Sequence, residues 1–248
     1  MGVVIRHAKS TKVVAVAERI CLGKPIIEIL SSDSWKGRRC FLLGGSPSMR
    51  SLDFDLIKDD LTIGINKAFI KFPTTINYAM DMGFFDKITY AQSNNSKSVE
   101  LNQQWLNYKG IKLFLNRPKF KLDSSIYVVT DTQEKVLSFD LAKGIVGGNN
   151  SGFGALMLAI ALGATKIGLL GYSMKVDKTH KRTHWHDGYE GQKFETMQSK
   201  LDKFKDYFIS WASLIESAGI KVVNLDPNSA LECFPKESLE YFLKNYSK

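Results

Sequence analysis

Histidine is the side chain best suited to moving a proton near neutral pH. Three of the four histidines, His180, His184 and His186, fall in one polar stretch between Lys175 and Glu195. Asp187 follows them, and Trp185, Tyr189 and Phe194 are interleaved. Aromatic residues on a polar stretch suggest a lid that closes over a ligand. Either His184 or His186 then offers a general base, and sequence does not choose between them. The same residues do not read as a metal centre. His184-Trp185-His186-Asp187 lacks the spacing of H-x-H-x-D-H, Gly188 stands in the next position, and no H-E-x-x-H occurs.

Other turns have the composition of anion or nucleotide contacts. Gly44-Gly45-Ser46-Pro47-Ser48 combines small residues, which admit a close ligand, with two hydroxyls and exposed N–H groups. It is neither a P-loop nor G-x-G-x-x-G. Asn66 and Asp81 each follow a short apolar run. Gly147-Gly148-Asn149-Asn150-Ser151-Gly152 precedes an apolar helix, whose positive dipole end favours an anion. No G-x-S-x-G nucleophile elbow is present. Arg117-Pro118-Lys119-Phe120-Lys121 is a small basic run with one aromatic ring, a weak sign of nucleic-acid contact.

The elements that must position these residues alternate between strand and helix. Cys40–Leu43, Leu61–Ile65, Thr75–Ala79, Ile111–Leu115, Ile126–Val129, Lys166–Leu170 and Ile220–Leu225 read as buried strands. Ser151–Leu162 is apolar on nearly every side, with Asn149, Asn150 and Ser151 as capping residues ahead of it and Gly163 behind, so it should be buried. Thr196–Ala218 repeats Met197, Leu201, Phe204, Phe208, Trp211 and Ile215 at helical spacing, ending at Gly219. Pro235–Tyr246 closes the chain as a short helix. This pattern predicts an α/β, Rossmann-like fold: a mostly parallel sheet flanked by helices, with a polar lid-like insertion at about 175–195. Ligands in such sheets bind beyond the carboxyl ends of the strands, where all the turns above lie.

Composition sets the outer bounds. The 248 residues suit one large domain, with 44% hydrophobic and 24% charged residues. Disorder over most of the chain and fibrous architectures are excluded, and no apolar run reaches membrane-spanning length. Residues 38–248 read as the main domain and 1–37 as an extension or edge element. The net charge of +9 favours anionic partners, nucleotides or nucleic acid among them. Cys21, Cys40 and Cys233 are widely spaced and odd in number, which suggests a reducing compartment. The N-terminus lacks the continuous apolar core of a signal peptide, so a cytoplasmic location is expected. A homo-oligomer stays open.

The ordered set of motifs resembles a family. Phe41-Leu42-Leu43-Gly44-Gly45-Ser46-Pro47-Ser48-Met49, then Ile65-Asn66-Lys67-Ala68-Phe69, is similar to the G-x-G-P-S-L and following Asn of the family-42 sialyltransferases and the related MptE-like (DUF115) proteins. Asn150-Ser151-Gly152 with the helix and strand that follow it resembles their second signature. Thr183-His184-Trp185-His186 and the run Val223 to Pro235 are similar to a group of phage-encoded proteins. The resemblance covers about residues 38–236. It implies a nucleotide-dependent transferase, glycosyltransferase-like, using a CMP-sugar type donor and needing no metal. Gly44, Gly45, Ser46, Ser48, Asn66, Asn150, Ser151 and Gly152 would contact the nucleotide, and Tyr172 its phosphate. His184 or His186 would be the base. The MptE-like members imply an alternative, diphosphate transfer from ATP with Mg²⁺, in which Asp81 is a candidate ligand. A third expectation is a non-catalytic nucleotide- or nucleic-acid-binding protein. Two departures stand out. Ser46 replaces a Gly, and Gly171-Tyr172-Ser173 replaces Gly-x-Asp.

Overall fold

The structure is a computed structural model and describes residues 23–89, 96–116, 125–132, 134, 136–187, 189 and 192–246. Its strands are β1 (Lys24–Pro25), β2 (Arg39–Leu43), β3 (Leu61–Ile65), β4 (Ile76–Ala79), β5 (Ile111–Asn116), β6 (Tyr127–Thr130), β7 (Lys166–Leu170) and β8 (Lys221–Asn224). They form one eight-stranded sheet in the order β1-β6-β5-β4-β3-β2-β7-β8. Every pairing is parallel. The helices are α1 (Met82–Thr89), α2 (Ser96–Asn107), α3 (Ser151–Ala161), α4 (Phe194–Ser217) and α5 (Leu239–Asn245). This is a Rossmann-like α/β fold.

The inner strands are mostly apolar because both faces of the sheet are covered there. Side chains alternate between the faces. Cys40 and Leu42 of β2 join the cluster under α3, with Ile63, Ile65, Ile167 and Leu169. Phe41 and Leu43 point the other way, into a cluster with Met49, Phe72, Trp185 and Phe242 of α5. α3 lies buried over its whole length from Phe153 to Ala161, as its lack of a polar face requires. α4 buries Met197, Phe208 and Ile215 and leaves its outer face to solvent. A third cluster, around Phe84, Phe85, Trp105 and Phe114, sits beneath α1 and α2.

The expected strands are present, shifted by at most one residue at their ends. α3, α4 and α5 are also present, with α4 starting at Phe194 rather than Thr196 and α5 at Leu239 rather than Pro235. α1 and α2 were not legible in the sequence pattern. Of the expected N-terminal extension, residues 1–22, including Cys21, lie outside the described residues. Lys24–Pro25 forms the edge strand beside β6, and Trp35 is buried against the core, its N–H donated to the Leu162 carbonyl at 2.7 Å. The basic run 117–121 also lies outside the described residues. Among the described residues no helix is long and apolar enough to cross a membrane. Cys40 is buried, and burial pushes its thiol far above the ordinary range. It is a core residue.

The end of the sheet away from the carboxyl termini is locked by a buried ion pair. Arg39 Nε and one terminal nitrogen each donate to Asp60 at 2.9 Å, and the other nitrogen donates to the Leu243 and Tyr246 carbonyls. Both charged side chains are at most 5% exposed. Removing one partner leaves a buried charge uncompensated, so Arg39→Met should cost about 3–5 kcal/mol in urea unfolding. Arg39→Met combined with Asp60→Leu should recover part of that loss. A cost below about 1 kcal/mol for Arg39→Met alone would mean the pair is hydrated.

Candidate functional site

The chain runs outward from β2 through β3, β4, β5 and β6, then returns through α3 to place β7 on the other side of β2. The turns after β2 and β7 therefore leave in opposite directions, which opens a crevice at the carboxyl ends. A cavity of about 810 Å³ lies there.

Close contact between the two turns forms its floor. Gly44 N–H donates to the Leu170 carbonyl at 2.7 Å, and Ser46 N–H to the Gly171 carbonyl at 3.1 Å. A Cβ on Gly44 would lie 2.5 Å from the Gly171 oxygen, so only glycine fits. Gly45 N–H is unpartnered among the described residues, while its carbonyl accepts from Trp185 N–H at 3.0 Å.

α3 aims its N-terminus at the same space. Asn150 caps the helix, its Oδ1 accepting from Phe153 N–H at 2.7 Å. Among the described residues Ser151 and Gly152 N–H have no partner at the positive end of an 11-residue helix, and both residues line the cavity. Asn66 bridges this end to β3. It adopts φ 52°, a left-handed conformation that asparagine tolerates. Its carbonyl accepts from buried Asn77 at 2.9 Å, and its Oδ1 accepts from Ser151 Oγ at 3.4 Å.

The histidine stretch forms the opposite wall, and it is anchored. Asp177 and Arg182 exchange backbone hydrogen bonds as a small antiparallel turn, with His180 paired to Asp177 in solvent at 2.8 Å. Hydrogen bonds from His180 hold the Asp177 carboxyl below its usual range. Trp185, read in sequence as part of a closing lid, is buried against Phe72 with ring centres 5.7 Å apart. Its carbonyl accepts from Arg50 at 2.9 Å. The tryptophan fixes the loop to the sheet rather than covering a ligand.

His184 projects into the cavity beside Gly45. Its Nδ1 shares a proton with Thr183 Oγ1 at 2.8 Å. His186 stacks behind it, ring centres 4.9 Å apart and planes 17° from parallel, and does not line the cavity. Tyr189 meets both rings edge-on at 5.0 Å and carries Lys67 Nζ over its face at 4.9 Å. Burial holds the Tyr189 hydroxyl protonated, well above the ordinary range, although it hydrogen-bonds with Asn66. Burial, then the charges of Lys67 and Lys200, push His184 down to about 4. At neutral pH it is an uncharged imidazole among cations.

Gly44, Gly45, Ser46, Asn66, Asp81, Asn150, Ser151, Gly152, Tyr172 and His184 all line this one cavity. Ser48 and His186 stand one contact behind the wall. Tyr172 contributes its ring only, because its hydroxyl is donated to the Gly152 carbonyl at 3.2 Å. Asp81 Oδ1 caps α1 by accepting from Phe84 N–H at 3.2 Å. Among the described residues no three His, Cys, Asp or Glu side chains converge as a metal site would need. Sequence reading gave Lys67, Lys175, Thr183 and Lys200 no role, and it placed Tyr189 among the aromatic residues of a lid. Lys200, Leu201 and Phe204 of α4 line the cavity, and Lys200 and Phe204 stand one helical turn apart.

The charge balance around His184 gives a direct test. Its ring should stay neutral as pH falls through the usual histidine range and protonate only near pH 4 in a ¹⁵N histidine titration. Because the unfolded chain binds that proton first, this residue makes stability fall as pH drops from about 6.5 to about 4. Lys200→Met should raise the titration midpoint, and an unchanged midpoint would remove Lys200 as a cause. Comparison with protein-family models, curated proteins and solved structures finds no match for this chain.

Proposed function

We propose that the protein is a transferase acting on a nucleotide-activated donor, most simply a CMP-sugar, bound across the ends of β2, β3 and β7. The observation that carries this reading is the convergence of two unpartnered helix N–H groups, Lys200 and a neutral histidine on one cavity. Helix N–H groups hold phosphate oxygens, and cations stabilise the phosphate as it leaves. Neither role favours a neutral ligand.

His184 is the base in this reading, because it lines the cavity and His186 does not. In the tautomer that donates Nδ1–H to Thr183, the lone pair on Nε2 is available. The acceptor oxygen attacks the anomeric carbon, and its proton passes to Nε2. The bond from that carbon to the phosphate oxygen breaks, and the electron pair leaves with the nucleotide. Burial, and after it the charges of Lys67 and Lys200, hold His184 weakly basic. An anionic donor would neutralise those charges and strengthen the base when it is needed. Binding and proton transfer are thereby linked.

Asp81 supports a second reading. Its carboxylate lines the cavity with one oxygen used as a cap, so it suits Mg²⁺ bound with ATP for diphosphate transfer. A melting-point panel separates the two. CMP should raise the melting temperature without metal in the first case, and only ATP with Mg²⁺ should do so in the second.

Ser151→Pro tests the phosphate cradle. Asn150 is already extended and Ser151 is the first helical residue, so proline fits without breaking α3. It removes one N–H donor. CMP affinity should fall about tenfold or more relative to Ser151→Ala, the scale of a hydrogen bond to a charged group. Equal affinities in the two variants would place the phosphate elsewhere.

A further inference from the structure

The histidine loop opens with a basic turn that the cavity chemistry leaves unused. Lys175-Val176-Asp177-Lys178-Thr179-His180-Lys181-Arg182 sets four cations against one carboxylate. Lys175, Lys178, Lys181 and Arg182 are all exposed. Among the described residues none of the four forms an ion pair. The carboxylate is already engaged. Asp177 accepts from His180 N–H at 3.1 Å and pairs with the His180 ring at 2.8 Å.

This turn is held in shape. Asp177 and Arg182 exchange two backbone hydrogen bonds of 2.8 and 2.9 Å. Val176 is buried, and its N–H donates to Gln198 of α4 at 3.1 Å. Lys175 and Thr183, on either side of the bonded pair, line the cavity. The turn therefore stands on the cavity rim, one residue from His184.

Lys181 is not the residue that the backbone alone would choose. Its φ is 49°, in the left-handed region that favours glycine or asparagine and is costly for a lysine. Strain kept at an exposed position points to a role for the side chain that it carries. Here it keeps an ammonium group on the turn between Lys178 and Arg182.

The chemistry of the turn narrows its partner. Its exposed stretch, Lys178 to Arg182, holds no apolar side chain, so it lacks what a membrane-bound segment buries in lipid. Several cations along one turn suit a chain of phosphates better than a single anion. The loop then continues into stacked His184 and His186, with Tyr189 edge-on to both rings. Cations beside half-buried aromatic rings are the combination that holds a single strand, whose bases are free to lie on rings. A duplex keeps its bases stacked inside.

We infer that the turn from Lys175 to Arg182 is a docking surface for single-stranded nucleic acid, which it holds by the phosphates at the mouth of the cavity. The inference needs no nucleotide donor in the cavity, so it stands or falls apart from the transferase reading.

The test is fluorescence anisotropy of a labelled oligothymidylate titrated with the whole protein. Affinity should fall about twentyfold between about 50 and 200 mM salt, as three phosphate contacts on a single strand require. The same strand annealed to oligoadenylate should bind several-fold more weakly. Lys181→Gly relieves the left-handed strain, so it should melt no lower than wild type. It should nonetheless bind the strand about threefold or more weakly, with a shallower salt dependence. Lys178→Ala leaves the backbone hydrogen bonds of the turn in place and should weaken binding likewise. Lys244→Ala removes the same charge from α5, which packs by Arg39 at the opposite end of the sheet, and should change nothing. An equal loss in Lys244→Ala would mean that net charge alone attracts the strand, and would overturn the surface. Full affinity in both Lys181→Gly and Lys178→Ala would overturn it too. Equally tight binding of polyglutamate, or binding to phosphatidylserine vesicles and not to the strand, would name another class of partner and sink the inference. Binding of CMP without binding of the strand overturns this inference alone and leaves the transferase reading in place.

Discussion

Gly44 and Leu170 are joined by a backbone hydrogen bond of 2.7 Å at the point where the sheet reverses direction, and Gly44 and Gly171 are too close for any side chain. This contact sets the geometry of everything above it. It brings the turn after β2 against the turn after β7, so Ser46 reaches Ser173 and His184 reaches the face of Gly45. A β-carbon on Gly44 would drive the turns apart and separate Ser46 from Ser173 before it disturbed the core. Glycine here carries a functional constraint, since the strands on either side would pair with almost any apolar sequence.

Electrostatics then gives the cavity its character. The helix end, Lys67, Lys175 and Lys200 all contribute positive potential to it. Burial first and that field second leave His184 unprotonated, and burial keeps the Tyr189 proton in place against its hydrogen bonds with Asn66 and Lys67. Asp81 and Asp226 oppose the trend, and each is engaged: one caps α1, the other accepts from the Ser173 hydroxyl. The α3 side of the cavity favours anions.

Much of the sheet was legible in the sequence because a parallel strand covered on both faces must be apolar throughout. Cys40-Phe41-Leu42-Leu43 shows that pattern without ambiguity. α3 was legible for the same reason, with caps at both ends. α1 and α2 were not. α2 is rich in Ser, Asn and Gln, and among its described residues only Trp105 is buried, so its periodicity is faint. α1 follows directly on Asp81, which reads equally well as a ligand residue and as a cap. The glycine- and asparagine-rich turns announced a site because α/β sheets place ligands at strand ends. Lys200 and Asp226 gave no such signal. The first depends on how α4 is rotated over the sheet, and the second on which turn β8 ends beside. Both are set by tertiary packing.

Anchoring of the histidine loop bears on how such a site works. A loop that closes only on binding loses conformational freedom at that moment and weakens affinity. Here Trp185 lies in the Phe72 cluster, its N–H and carbonyl are both bonded, and Gly45 cannot separate from it without breaking a backbone bond. His184, one residue earlier, inherits that rigidity. Its ring is further held by Thr183 on one nitrogen and His186 on one face. The ordering cost is met in folding, by burial of an indole ring, and not again at each encounter with ligand. A base held this way keeps its geometry whether or not the cavity is filled, and what changes on filling is the surrounding charge.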